Sequence, residues 1–321
     1  MKNFTLIGAA GYIAPRHMEA IQATGNQLVA AMDPHDAVGK LDSYFPDASF
    51  FTEFERFDRH VDKLRRTNDE QAVHYVSICS PNYLHDSHIR FALRSEADAV
   101  CEKPLVMNPW NLDALEEIEV DTGRRVYTIL QLRLHPAIKD LRSRVGDGGK
   151  SGSKHEVDLT YVTARGRWYH HSWKGDLKKS GGVATNIGVH FFDMLHFVFG
   201  PLQENRLHYR SDTRAAGYLE YANARVRWLL SVDVVDVPER LRAEGQRTYR
   251  SILVDGSEVE FSGGFTDLHT ESYRAILSGA GFGIEENRVA IEAVSHIRFS
   301  PTQLPGPGEA HPLLHALPAT T

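Results

Sequence analysis

Cysteine is nearly absent: two occur in 321 residues, Cys79 and Cys101. Both lie in or beside apolar, β-branched runs, "VSICS" and "ADAVCEKP". That context reads as buried strand thiols rather than a disulfide framework, so the chain suits a reducing cytoplasm. No apolar run is long enough to span a bilayer. The opening "MKNFTLIGAAGY" has too short an apolar run, broken at once by glycine, to be a secretion signal. Positive charge is not in surplus either. Lys and Arg number 36 against 42 Asp and Glu, a formal net charge of −6, which argues against nucleic acid or an anionic membrane as the main partner. There is no internal repeat and no heptad seam. What remains is a soluble, cytoplasmic chain long enough for two domains.

The first 130 residues alternate short apolar runs with helical patterns. Strands are predicted at "FTLIGA" (4–9), "LVAAMD" (28–33), "VHYVSIC" (73–79), "ADAVCE" (97–102) and "VYTILQ" (126–131), with helices such as "PRHMEAIQAT" and "WNLDALEEIEVDTG" between them. Repeated βα units of this length imply an α/β domain with a parallel sheet. After the Gly/Ser-rich break "GDGGKSGSK" (146–154), longer alternating runs predict an α+β half with an open, mainly antiparallel sheet. These runs are "EVDLTYVTARG", "ARVRWLLSVDVVDV" and "RSILVDGSEVEF". The helix "NRVAIEAVSHIR" closes it, and a proline-rich tail wraps or frays. The domains are therefore 1–130 and 131–321, with a possible chain return.

Four stretches carry chemistry. After the first strand, Gly8, Gly11 and Ala14 make a G-x-x-G-x-x-A turn, with Tyr12 and Ile13 inside it. Such a turn brings backbone close to a pyrophosphate at a helix N-terminus. Asp33, about twenty residues further on, would accept from a ribose diol and repel a 2′-phosphate, favouring NAD over NADP. The plain alternative is a tight turn without a ligand. Ser80, Pro81 and Asn82, with His85 just beyond, follow the third strand and would border the same crevice, unless they form a simple loop and helix cap. Glu102, Lys103 and Pro104 follow the fourth. A lysine there is costly to bury without a task, and a cis Pro104 would fix its direction. Gln131, Arg133 and His135 follow the last strand and should lie near the same cleft.

The remaining stretch is "SGGVATNIGVHFFDMLHFVFGP" (180–201), a helix with Asn186 as predicted N-cap and Gly200–Pro201 as its stop. His190 sits among apolar residues, with Asn186 four residues before it and Asp193 three after. A lone histidine there is ordinarily a satisfied core residue; Asp193 reads as a hydrogen-bond acceptor within the helix. The preceding segment mixes Arg165, Arg167, Lys174, Lys178 and Lys179 with Trp168, Tyr169 and Trp173, and runs on to Thr185. Guanidinium groups pair with phosphates and aromatic faces stack on uracil or sugar rings, which suggests an anionic, nucleotide-bearing substrate. A solvated basic loop over packed tryptophans is the bland alternative. No His, Cys or carboxylate cluster has a convincing metal spacing.

With "CEKPL" and the glycine turn, the chain resembles the Gfo/Idh/MocA oxidoreductases from Met1 to about Arg298. Their Glu-Lys-Pro motif falls on Glu102, Lys103 and Pro104. Their Asp-x-Gly-x-His-x-x-Asp motif falls on Asn186, Gly188, His190 and Asp193, with Asn in place of the first Asp. The resemblance implies an NAD-binding Rossmann domain followed by a substrate-binding and oligomerisation domain, with Lys103 and His190 facing each other across the cleft. It makes Lys103, His190 and Asn186 catalytic, and leaves open whether Lys103 or His190 is the base. "ARGRWYHHSWKGDLKKSGGVATNIGVHFFDML", "SICSPNYLHD" and "QLRLHP" are similar to the UDP-N-acetylglucosaminuronate 3-dehydrogenases (WlbA/WbpB type) of that family. That similarity implies oxidation of the sugar C3 hydroxyl with NAD as acceptor, and 2-oxoglutarate as a candidate reoxidant. It also implies a homotetramer and a place in 2,3-diacetamido uronic acid synthesis for O-antigen. The cofactor set would be Gly8, Gly11, Tyr12, Ile13, Ala14, Asp33, Ser80, Pro81, Asn82, His85, Glu102, Lys103 and Gln131. The sugar nucleotide would meet Lys103, Arg165, Arg167, Trp168, Tyr169, Trp173, Lys174, Thr185, Asn186 and His190. The competing expectations are a dehydrogenase of a free sugar or inositol, and a cofactor-binding regulator without turnover.

Overall fold

The computed structural model describes residues 1–67, 69–148, 153–260 and 267–314. Residues 149–152 of the Gly/Ser-rich break, Phe261 and tail residues 315–321 lie outside the described residues. The chain forms two compact units, one of Met1–Gln131 with Thr266–Arg288 and one of Leu132–Phe265 with Val289–Thr321.

In the first unit, six strands form an all-parallel sheet: β1 (Asn3–Ile7), β2 (Gln27–Met32), β3 (Ser49–Phe51), β4 (Tyr75–Ile78), β5 (Asp98–Cys101) and β6 (Val126–Thr128). Their order is β3-β2-β1-β4-β5-β6, so the direction of winding reverses between β1 and β4. In sheets of this kind that reversal opens a crevice at the strands' carboxyl ends. The connecting helices include Ala14–Ala23, Phe54–Thr67, His85–Arg94 and Pro109–Thr122. Both cysteines are buried, and burial pushes their thiols well above the usual pKa.

The 131–321 expectation assigned the helix Leu268–Leu277 to the second half, but it belongs to the first unit. Its Tyr273 and Ile276 join Phe4, Leu6, Met18 and Ile21 in one apolar core, and that burial draws the chain back.

The second unit holds β7 (His155–Thr163), β8 (Leu202–Arg210), β9 (Arg214–Tyr221), β10 (Ala224–Ser231), β11 (Thr248–Val254) and β12 (Ser257–Glu258). The order is β12-β11-β7-β10-β9-β8, with β7 and β10 parallel and every other pair antiparallel. The helix Val189–Phe199 covers one face, where the Phe192 ring meets the buried Trp228 edge-on at 5.2 Å. On the other face the described part of the tail lies across the strands. Gln303 N–H donates to the Leu207 carbonyl at 2.8 Å, His311 bonds Thr160 at 3.0 Å, and Leu314 packs on Tyr209, Ala216 and Leu229. Among the described residues, no helix is long and apolar enough to cross a membrane.

Candidate active site

At the carboxyl end of β1 the chain turns tightly into the helix Ala14–Ala23. Gly8 has φ +92°, and a Cβ there would lie 2.6 Å from the Cys79 carbonyl carbon at the end of β4. Only glycine fits that conformation and that approach. The turn closes through Gly11 N–H donating to the Gly8 carbonyl at 3.0 Å, and Tyr12 is exposed. Ile13 stands at the helix N-cap and makes no side-chain capping bond, so the helix start depends on its own backbone. Asp33 is buried after β2. One of its oxygens accepts from Ala10 N–H at 2.9 Å and the other from His35 N–H at 2.9 Å. Each carboxylate oxygen keeps further lone-pair capacity, so the acid can still accept from a diol.

The loop after β4 is tied to the one after β5. The buried His85 ring places Nε2 2.8 Å from the Ser80 carbonyl and Nδ1 2.7 Å from the Pro104 carbonyl. Burial lowers its pKa, against the pull of those two carbonyls. Pro81 precedes a short 3-10 turn, Asn82–Leu84, in which Asn82 is buried. Lys103–Pro104 is a cis peptide and Lys103 is half-buried. Gln131, half-buried, opens the turn Gln131–Leu134.

Glu102 sits in a network that the sequence does not announce. Its Oε1 is 3.1 Å from His17 Nε2 and 3.0 Å from His269 Nε2. His17 Nδ1 reaches the Tyr273 hydroxyl at 2.8 Å, and that hydroxyl reaches Ser77 Oγ at 2.6 Å. Burial pushes the Glu102 carboxyl up, but hydrogen bonds from His17 and His269 outweigh it and hold Glu102 well below the ordinary carboxylate range. Among the described residues, His17, Glu102 and His269 are also the one group close enough to share a metal ion. Spacing analysis misses them because they come from three distant segments.

In the second unit, the predicted N-cap is corrected. Ala184–Gly188 forms a π-helical turn running into Val189–Phe199, and Asn186 lies inside it. Its amide nitrogen donates to the Tyr169 hydroxyl at 2.9 Å. Tyr169 is buried on the short helix Arg167–His171, and burial raises its pKa although the Asn186 bond opposes this. Thr185 is buried beside them. His190 is half-buried, its ring edge-on to Phe191 at 4.5 Å. Asp193 is a structural partner, and its ion pair reaches beyond its own helix to Arg133. It accepts three bonds from Arg133 at 2.7–3.1 Å, both groups buried, so Arg133 is an ion-pair partner of that helix. The basic residues Arg165, Arg167, Lys174, Lys178 and Lys179 are exposed, as is Trp168, while Trp173 is half-buried with Lys174 Nζ 5.7 Å from its ring. Trp168 is thus not packed beneath the loop.

Residues 2–129 match the model of an oxidoreductase family with an NAD-binding Rossmann fold, Gfo/Idh/MocA, and residues 150–247 match that family's C-terminal alpha/beta domain. A crystal structure of the WlbA (WbpB) dehydrogenase from Thermus thermophilus, in complex with NAD and UDP-GlcNAcA, is 52% identical with TM-score 0.93. It covers 98% of this chain and 100% of that one. Another from the same organism, with NAD and alpha-ketoglutarate, is 53% identical over the same shares with the same TM-score. Inositol 2-dehydrogenase of Rhizobium meliloti is 26% identical over 200 residues, 62% of this chain and 55% of the relative.

Proposed function

The chain belongs to the Gfo/Idh/MocA oxidoreductase family, and from that premise we propose that it oxidises the C3 hydroxyl of UDP-N-acetyl-D-glucosaminuronate to the 3-keto sugar, with NAD as cofactor. The observation that carries this reading is the 52% identity over 98% of the chain to a dehydrogenase solved with NAD and UDP-GlcNAcA. The complex of the same relative with alpha-ketoglutarate supports 2-oxoglutarate as the reoxidant.

The residues fit the cofactor. The Gly8 turn admits no side chain, and Asp33 is a buried carboxylate already oriented by two backbone N–H groups. NAD, when bound, supplies the hydride acceptor. Gly8, Gly11, Tyr12, Ile13 and Ala14 would hold its pyrophosphate and Asp33 its adenosine ribose. Ser80, Pro81, Asn82, His85, Glu102, Lys103 and Gln131 complete the proposed cofactor set. For the sugar nucleotide, Arg165, Arg167 and Lys174 would meet pyrophosphate and uronate, and Trp168, Tyr169, Trp173 and Thr185 the rings. Lys103 and His190 divide the proton work at C3, one taking the hydroxyl proton and the other stabilising the developing alkoxide. Asn186 cannot ionise, and its amide nitrogen is committed to Tyr169. Its role is therefore to position rather than to titrate.

The division into an NAD-binding part and a substrate-binding, oligomerising part, a homotetramer, a cytoplasmic location and a place in 2,3-diacetamido uronic acid synthesis for O-antigen belong to the same proposal. The test mixes purified protein with UDP-N-acetylglucosaminuronate, with and without 2-oxoglutarate, and follows reduced-nicotinamide absorbance and 2-oxoglutarate consumption. Glucose, myo-inositol and UDP-N-acetylglucosamine are the controls. Signal with the uronate alone is expected, and Lys103→Ala and His190→Ala should each lower kcat by roughly 100-fold or more. Turnover of a free polyol without turnover of the uronate would overturn the reading.

A further inference from the structure

The first unit contains a buried titratable cluster around Glu102, to whose two histidines the proposed reaction gives no task. His17 on the helix Ala14–Ala23 and His269 on Leu268–Leu277 converge on a single oxygen of Glu102, at 3.1 and 3.0 Å. His17 has no exposed side-chain surface, His269 has 9% and Glu102 13%. The second Glu102 oxygen accepts from the Lys103 backbone N–H at 3.3 Å.

We infer that His17 and His269 are positioning residues, whose two N–H groups fix the Glu102 carboxylate so that it in turn fixes the backbone of Lys103. The inference rests on the proposed reaction only in making Lys103 the beneficiary. An ionised carboxylate can only accept, so both imidazoles must present N–H at Nε2. A neutral His17 ring then has an acceptor at Nδ1, so Tyr273 O–H donates to it and Ser77 O–H donates to Tyr273. Every proton in the chain has one direction. Burial agrees, lowering the His17 pKa although Glu102 pulls it up. The other titratable groups facing Glu102 are Cys79, Cys101, His85 and Tyr273. Burial holds the thiols and the phenol neutral and lowers the His85 pKa.

The test compares His17→Leu and His269→Leu with His17→Gln and His269→Gln, since glutamine keeps a neutral N–H donor near Nε2. The leucine variants should lose about 100-fold in kcat, with KM for NAD changed less than about threefold, and the glutamine variants should recover most of it. A leucine pair that keeps kcat and loses only melting temperature would overturn the inference. Should the leucine variants fail to fold, nitrogen NMR of the wild-type imidazoles decides. A neutral Nε2–H tautomer for His17 across about pH 6–8 supports it, and an Nδ1–H tautomer or an imidazolium overturns it. Stoichiometric metal on the purified protein, lost in His17→Gln, would also overturn it by making Glu102 a ligand. The NMR arm needs no substrate, so absence of uronate turnover would end the functional reading while this one is still decided.

Discussion

Arg133 and Asp193 form a buried ion pair with two-pronged geometry, and the Arg133 guanidinium also lies 5.2 Å from the Phe197 ring. Removing one partner strands the other charge away from water. Asp193→Ala should therefore lower unfolding free energy by about 3–5 kcal/mol, read from urea denaturation. Replacing both with apolar residues of similar volume, Arg133→Met with Asp193→Leu, should restore most of that loss. Position 33 tests the cofactor. In Asp33→Ser the carboxylate that would oppose a 2′-phosphate is gone, and preference for NAD over NADP should fall roughly 100-fold in kcat/KM. Legibility at this scale divides by distance along the chain. Gly8, Asp33, Lys103 and Pro104 could be read because each stands at a strand end in a short pattern. His17 lies inside the quoted helix "PRHMEAIQAT", yet its partners Glu102, His269 and Tyr273 are up to 256 residues away. No local pattern encodes a hydrogen bond of that separation.

The helix that carries His190 begins with a π turn, and Gly188 closes it. A Cβ at Gly188 would lie 2.5 Å from Leu230 Cδ1 on β10 and 3.0 Å from the Phe192 ring. Glycine here lets the helix start settle onto the sheet. Gly188→Ala should push it outward, costing about 1–3 kcal/mol of stability, with kcat falling more than KM rises because His190 is displaced. Denaturation and steady-state kinetics on one preparation check both. The misread N-cap at Asn186 has the same origin. Asparagine before an apolar run predicts a cap, but its amide is drawn to Tyr169 and the helical winding starts earlier. Strands were legible where both faces are buried, as in β1, whose five residues are all buried. β8, "LQENRLHYR", escapes a pattern reading because its first half is half-buried or exposed and charged, while β3 is three residues long. Length and alternation together carry the strand signal, and neither element supplies both.

Histidine gives the whole molecule a common response to acid. His17, His85 and His88 in the first unit and His196, His208 and His311 in the second are all held below the ordinary imidazole pKa, with burial the largest cause in each. His88 and His311 are brought to about 4. His88 bonds Ser80 Oγ at 2.8 Å and stacks on Phe54, while His311 joins Thr160 of β7 to the described tail. A folded pKa below the unfolded value of 6.5 means that the unfolded chain binds more protons between the two. The stability the neutral His88 and His311 rings contribute is thus complete above about pH 6.5 and is lost as pH falls towards about 4, by roughly 3 kcal/mol for each of the two. Urea midpoints should therefore drop between about pH 7 and about pH 4.5, whatever the carboxylates add at lower pH. His88→Asn keeps a neutral group near Nδ1, and His311→Gln one near Nε2. Each should flatten that slope, and if the units melt separately, each should flatten only the transition of its own unit. An unchanged slope in both variants would mean that these rings titrate alike folded and unfolded, and that the acid response of this protein lies elsewhere.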